Sequence, residues 1–200
     1  MAYVDEYPDE AKVVRACFAV AFAALGIGAL FGIIQALHRT GWLRIISNVD
    51  YYTVLTAHGV LLALVFTIYF LVGLFTWGVT SSLDRNLRSS SRFTWGWFGL
   101  MTLGVVMAAT AILGGLVKQI PMSADVLYTF YAPLEAHPVF YIGLAVFVVG
   151  SWLAGLDWFR TWWDWKKDNR GERTPLRTFM VLTTMLMWYL SSAGVAAEVV

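Results

Sequence analysis

Long apolar stretches separated by short charged segments form the main pattern of this chain. Windows without Asp, Glu, Lys or Arg and about 20 residues or more in length occur five times. A helix of about 20 apolar residues crosses the ~30 Å hydrocarbon core of a bilayer, and it satisfies its own backbone hydrogen bonds there. The pattern therefore predicts an all-α transmembrane fold in a single membrane domain, residues 1–200, with crossings at about 16–37, 53–79, 93–117, 136–156 and 178–197.

The composition narrows the function classes. Of 200 residues, 59% are hydrophobic and 14% are charged, whereas globular chains average about 45–50% and ~25%. The formal net charge is +1, so there is no basic field that would attract nucleic acid, and the apolar content excludes a disordered chain. Cys17 is the one cysteine and lies in an apolar run, which excludes a disulfide framework. The expected surroundings are membrane lipids.

The distribution of basic residues predicts the orientation of the chain. The N-terminal tail and the second and fourth loops together carry eleven Lys and Arg, and the first and third loops carry three: Arg39, Arg44 and Lys118. Cytoplasmic segments of membrane proteins carry an excess of Lys and Arg. The N-terminus is therefore expected to be cytoplasmic. Its acidic first residues, AYVDEYPDE, do not resemble a cleavable signal peptide.

Three histidines are the candidate ligands. His38 and His137 fall at the ends of predicted helices, where an interfacial or capping role is the ordinary interpretation. His58 lies one to two turns inside the second helix, between apolar residues, where an ionisable side chain is costly and indicates function. The spacing alone leaves two interpretations open: an axial haem ligand, or a hydrogen bond between helices.

Small residues and one amide in the first two predicted helices extend this hypothesis. Gly59 follows it directly, and Gly28 and Gly32 form a GxxxG pattern in the first helix. Such a pattern is typical of close helix packing, and the alternative is that it clears room for a porphyrin face. Gln35 is an intramembrane amide that needs a partner within the bundle.

Several ordered strings carry a family resemblance. GALFGIIQAL, LTAHGVLLALVFT, VLYTFYAPLEAHPVFYIG and TPLRTFM followed by MWYLSSAG resemble the first five helices of subunit I of haem–copper oxygen reductases. The chain is most similar to the B-type (ba3-like) branch, because the loop DRNLRSSSR is shorter than its A-type counterpart. The resemblance implies a five-helix part of a bundle of twelve or more helices.

The resemblance also implies a function. It makes this chain part of a cytochrome c oxidase that reduces O₂ to water and translocates protons across a prokaryotic plasma membrane. His58 would be one axial ligand of low-spin haem b, with Gly59, Gly28, Gly32 and Gln35 packed near the haem. Tyr128 would lie near the oxygen site. A high-spin haem, copper B, a copper-A-bearing subunit II and cytochrome c or a blue-copper donor complete the implied enzyme.

The resemblance is partial, and alternatives remain. HPVFY at 137–141 looks like the family's copper-ligand motif but falls at the start of the fourth helix, where the family has a non-ligand histidine. The second axial ligand and the copper ligands have no match here, so the 200 residues alone are not expected to reduce oxygen. No polar tail follows the fifth helix, so we expect the sequence to continue past Val200. A nitric oxide reductase-like subunit and a five-helix haem carrier or scaffold are the alternatives.

Overall fold

The computed structural model describes residues 3–42, 47–114 and 136–199, and these fold almost entirely into helices. A short helix, α1, is followed by long helical stretches, the second of which contains a π-helical segment at Val60–Phe66. The elements are α1 Tyr3–Glu6, α2 Pro8–Arg39, α3 Asn48–Gly59, α4 Thr67–Leu83, α5 Ser91–Gly114, α6 Pro138–Asp168 and α7 Leu176–Val199. The prediction of an all-α fold is confirmed.

The helix ends follow from local sequence. Pro8 and Pro138 begin α2 and α6, at a position where the missing N–H of proline costs no hydrogen bond. Ser47 caps α3 in a capping box with Asp50, whose backbone N–H donates to the Ser47 hydroxyl at 3.1 Å. Gly171, with φ of +93°, turns the chain after α6.

Four helical stretches among the described residues are long and apolar enough to cross a membrane: Pro8–Arg39, Asp50–Leu83, Ser91–Gly114 and Pro138–Asp168. The fifth predicted crossing lies within α7, which forms at the expected place but is not one of these four. The chain is a membrane protein, as its composition predicts.

Two compact units make up the described chain. The first comprises residues 1–18, 69–101 and 148–200. Its core holds large side chains that are almost fully buried, among them Trp97, Trp158 and Tyr69. The Trp158 indole N–H donates to the Thr76 hydroxyl at 3.2 Å, which satisfies the polar atom of this buried ring.

Buried carboxylates hold the loop 84–90 of this first unit. Three successive backbone N–H groups donate to side chains: Leu87 to Glu10 at 2.9 Å, Arg88 to Thr161 at 3.0 Å and Ser89 to Asp157 at 3.3 Å. At the start of the same loop, the Tyr7 hydroxyl donates to Asp84 at 2.7 Å, and desolvation by burial raises the pKa of Tyr7. The loop is therefore fixed by side-chain acceptors where helix hydrogen bonds end.

The second unit comprises residues 19–68 and 102–147. Its buried cluster consists of small and apolar side chains, Ala57, Ala108, Ala111, Ile112 and Phe140. Next to it lies an apolar cavity of about 200 Å³, lined by residues of α2, α3, the π-helical segment, α5 and α6. All the residues predicted to lie near a haem belong to this unit, except Tyr128, which lies outside the described residues.

Candidate functional site

The described part of the site is built from α2 and α3. His58 lies one residue before the end of α3, and its ring is directed at two glycines one turn apart on α2. The His58 Nδ1 atom lies 2.7 Å from the carbonyl oxygen of Gly28. Because a carbonyl only accepts hydrogen bonds, Nδ1 carries a proton, and in the neutral imidazole the lone pair is then on Nε2.

The two glycines provide the space for this contact. A Cβ atom at Gly32 would lie 2.9 Å from His58 Cε1 and 3.2 Å from Nδ1. A Cβ atom at Gly28 would lie 2.7 Å from the Leu62 side chain, in the π-helical segment. The GxxxG pattern therefore packs α2 closely against the helix that carries His58, and the space at Gly32 is used by the imidazole ring.

Two further polar side chains, Thr56 and the predicted Gln35, have hydrogen-bond partners within the same two helices. The Thr56 hydroxyl donates to the backbone carbonyl of Tyr52 at 3.0 Å, so it is not the group that orients His58. Gln35 is 7% exposed, and its amide N–H is directed at the carbonyl of Val54 at 3.5 Å. Gln35 thus finds within the bundle the partner that its position requires.

A π-helical segment begins directly after His58 and Gly59, and the apolar periodicity did not predict it. Over Val60–Phe66 the helix is wider, and the Thr67 hydroxyl donates to the Leu62 carbonyl, five residues earlier. Single π turns within α-helices are frequent at functional sites. Gly59, the residue before the segment, is the one local sequence feature that could have indicated it.

The other two histidines lie at helix ends. His137 Nδ1 accepts a hydrogen bond from the backbone N–H of Val139 at 3.3 Å, so it caps α6 as its position before Pro138 predicts. His38 stacks on Tyr51 with ring centroids 5.3 Å apart. Within the described ranges, no group of three His, Cys, Asp or Glu side chains could hold a metal ion.

The surroundings of His58 fit the role of a single axial ligand of haem iron. The imidazole is partly buried among apolar side chains, Nδ1 is engaged by a backbone carbonyl, and Nε2 has no hydrogen-bond partner among the described residues. A histidine that ligates metal usually donates its other ring N–H to a carbonyl or carboxylate, which fixes the tautomer and the ring orientation. The fold and the site define a helical membrane protein with one intramembrane imidazole that is hydrogen-bonded to a backbone carbonyl through Nδ1.

Comparison with known proteins identifies the family. The family model described as cytochrome c and quinol oxidase polypeptide I matches residues 12–200. Cytochrome c oxidase subunit 1 of Thermus thermophilus is 36% identical over 210 aligned positions, which cover 98% of this chain and 34% of the relative. The chain belongs to the cytochrome c and quinol oxidase polypeptide I family, and the predicted resemblance to oxidase subunit I is confirmed.

A solved structure agrees with this assignment. It is a cryo-EM structure of a heme-copper terminal oxidase dimer, and it matches with a TM-score of 0.83 and 33% identity over 94% of this chain and 31% of that one. The chain therefore spans about a third of the length of these two relatives.

Proposed function

We propose that this chain supplies His58 as one axial ligand of a low-spin haem b in the catalytic subunit of a terminal respiratory oxidase. The observation that carries the proposal is the 2.7 Å hydrogen bond from His58 Nδ1–H to the Gly28 carbonyl, which leaves Nε2 available for iron. Family membership supports it, because the relatives are oxidase subunits.

The residues around His58 would prepare the ligand. The Gly28 carbonyl holds the ring at a fixed angle. Because this carbonyl accepts a hydrogen bond from Nδ1–H, the imidazole becomes more electron-rich. Gly32 leaves space for the ring, and the neighbouring apolar side chains exclude water, which tunes a redox potential through burial. When bound, haem supplies one-electron transfer. Gly59 and Gln35 would pack near the haem, as the resemblance implies.

The complete enzyme would require more than this chain. We propose that it reduces O₂ to water with electrons from cytochrome c or a blue-copper protein, through a copper-A-bearing subunit II, and couples this to proton translocation. A high-spin haem and copper B would form the oxygen site, with Tyr128 near it. The chain would lie in a prokaryotic plasma membrane with a cytoplasmic N-terminus, as the eleven-to-three distribution of basic residues favours.

Substitution of the ligand tests the proposal. In the assembled oxidase purified from membranes, we expect His58→Ala to abolish the low-spin haem b signal in the reduced-minus-oxidised absorption spectrum. Added imidazole should restore part of the signal, because a free ligand can enter the space left by the ring. His137→Ala is the matched control, since that ring only caps α6, and it should keep the full signal. Retention of the low-spin signal in His58→Ala without imidazole would refute the assignment.

A further inference from the structure

One exposed face of α6 changes along the helix from apolar to cationic. Val149 and Leu156 are exposed on this face, and Arg160 and Trp163 follow them, also exposed. Their spacing of seven, four and three residues keeps all four side chains in one stripe of an α-helix. Trp and basic side chains gather where the hydrocarbon of a membrane meets its headgroups. The stripe therefore continues from the hydrocarbon core into the headgroup layer.

A neighbouring helix brings a second arginine to the cationic end of this stripe. The Arg160 guanidinium carbon lies 5.8 Å from the centroid of the Phe93 ring, in the first turn of α5. A cation at this distance is attracted to the face of a ring, so the contact orients Arg160. Arg92 directly precedes Phe93 and is exposed. Because adjacent Cα atoms are only about 3.8 Å apart, both guanidinium groups can reach one small anion.

The charges of these two arginines are not balanced by the acids around them. Neither Arg92 nor Arg160 forms an ion pair with any residue that the structure describes. Asp157, one turn before Arg160, accepts a backbone N–H of the loop 84–90 at 3.3 Å. Asp164, one turn after Arg160, is paired with two other cations at 2.9 Å and 3.3 Å. The two guanidinium groups therefore remain open to an anion from outside the chain.

The surface of α5 next to Arg92 is open. A Cβ atom at Gly96 or Gly99, one and two turns further along α5, would meet no heavy atom of the described residues within 4 Å. On α6, Leu156 and Val149 extend from Arg160 in the same direction, towards the middle of the predicted membrane crossing. The surface therefore has room for an elongated ligand with an anionic head and apolar chains.

We propose that these ends of α5 and α6 bind one anionic phospholipid. Arg92 and Arg160 hold its phosphate, Trp163 lies beside its glycerol esters, and its acyl chains follow Leu156 and Val149. Guanidinium groups suit phosphate because their paired N–H donors match its oxygens. The distribution of Lys and Arg predicts that these helix ends face the cytoplasm, where the membrane leaflet carries anionic lipids. A free phosphate ion would use the arginines alone, whereas a phospholipid also uses the apolar stripe.

Lipid binding to the assembled oxidase tests this proposal. The enzyme is purified in detergent, depleted of lipid and titrated with dioleoylphosphatidylglycerol in mixed micelles, and the bound lipid is counted by native mass spectrometry. We expect one saturable site that binds this lipid more tightly than dioleoylphosphatidylcholine, whose headgroup has no net charge. A cation near anionic lipid improves binding about fivefold, so Arg92→Gln and Arg160→Gln should each weaken binding by about that factor, and the double variant by about 25-fold.

Matched variants separate this site from the general charge of the protein. Arg15, on α2, is exposed at the same predicted side of the membrane, and its Nε–H donates to the carbonyl of its own helix. Arg15→Gln should therefore keep the full affinity at the proposed site. Arg92→Lys and Arg160→Lys should keep most of it, because an ammonium group also binds phosphate.

Three results would overturn the proposal. The first is equal affinity of the unmodified enzyme and the Arg92→Gln, Arg160→Gln double variant for phosphatidylglycerol. The second is displacement of the lipid by an equal concentration of inorganic phosphate, which would show that the apolar stripe contributes nothing. The third is loss of a protein subunit from the double variant with lipid binding unchanged, which would identify a protein as the occupant. Haem ligation is tested separately, because these residues belong to the first unit and His58 to the second, and the low-spin haem signal should persist in every arginine variant.

Discussion

The space for the His58 ring depends on one residue of α2, Gly32, because glycine has no side chain. A Cβ atom at Gly32 would overlap the ring, at 2.9 Å from Cε1, so the ring or one of the two helices would have to shift. We expect Gly32→Ala to displace the imidazole from the Gly28 carbonyl, because inserting a methyl group into a packed contact costs about 1–3 kcal/mol. The low-spin haem content of the purified oxidase should fall, and its electron paramagnetic resonance signal should change.

Another glycine of α2 provides the control for this substitution. At Gly26, a Cβ atom would meet no heavy atom of the described residues within 4 Å. Alanine is the better helix former by about 0.8–1.0 kcal/mol, so Gly26→Ala should preserve both the haem content and the fold. Identical spectra for Gly32→Ala and the unmodified protein would show that the ring does not need this space.

The sequence identified the ligand candidate but not its orientation. His58 could be recognised because an ionisable group is costly within an apolar helix. Its hydrogen-bond acceptor could not, since a backbone carbonyl looks the same at every position and the choice of Gly28 depends on how α2 and α3 are rotated. Thr56, two residues before the ring in sequence, has a hydroxyl that could have served, but it bonds to its own helix at the Tyr52 carbonyl.

At the scale of helices, α5 and α6 meet through two glycines in the second unit. A Cβ atom at Gly104 would lie 2.5 Å from both the Gly143 carbonyl oxygen and the Phe147 backbone nitrogen. Because these atoms belong to the backbone, no rotamer change can relieve the overlap. We expect Gly104→Ala to separate the helices and to destabilise the protein by about 1–3 kcal/mol, which lowers its thermal transition temperature in detergent.

Gly99 is the matched position for that experiment. It lies on the same helix, α5, and a Cβ atom there would meet no heavy atom of the described residues within 4 Å. Gly99→Ala should leave the transition temperature equal or slightly higher, because alanine favours the helix. Equal transition temperatures for the Gly104→Ala and Gly99→Ala proteins would contradict the close backbone contact.

The positions of the helices were predictable from the apolar runs, whereas the extension of α2 and α6 beyond those runs was not. The expected crossings at 16–37 and 136–156 end where charged residues begin, yet α2 starts at Pro8 and α6 continues to Asp168. Glu10 and Asp157 can lie in buried parts of these helices because their carboxylates accept backbone N–H groups of the loop 84–90. Counting charges cannot reveal such pairing, since the partners are distant in sequence.

At the scale of the whole molecule, the exposed apolar side chains of α7 are explained by the membrane. Phe179, Met187 and Leu190 are 57%, 67% and 77% exposed, while Val181 and Met185 are buried. One narrow stripe of α7 therefore packs against the rest of the first unit, and the remaining apolar surface requires a hydrocarbon or protein environment. An aqueous surface of this kind would cause aggregation. The prediction of a single membrane domain stays a prediction.

The orientation of the chain can be tested at two loops of opposite predicted sides. Thr40 follows α2 and is expected outside, whereas Glu172 lies in the basic loop between α6 and α7 and is expected in the cytoplasm; both are exposed. Cys17 is fully buried, so a cysteine introduced at either position provides the accessible thiol. In sealed right-side-out vesicles, a membrane-impermeant maleimide should label Thr40→Cys and not Glu172→Cys, and inside-out vesicles should reverse this. Unmodified protein controls for reaction at Cys17. Labelling of Glu172→Cys from outside would mean that the eleven basic residues do not mark the cytoplasmic side.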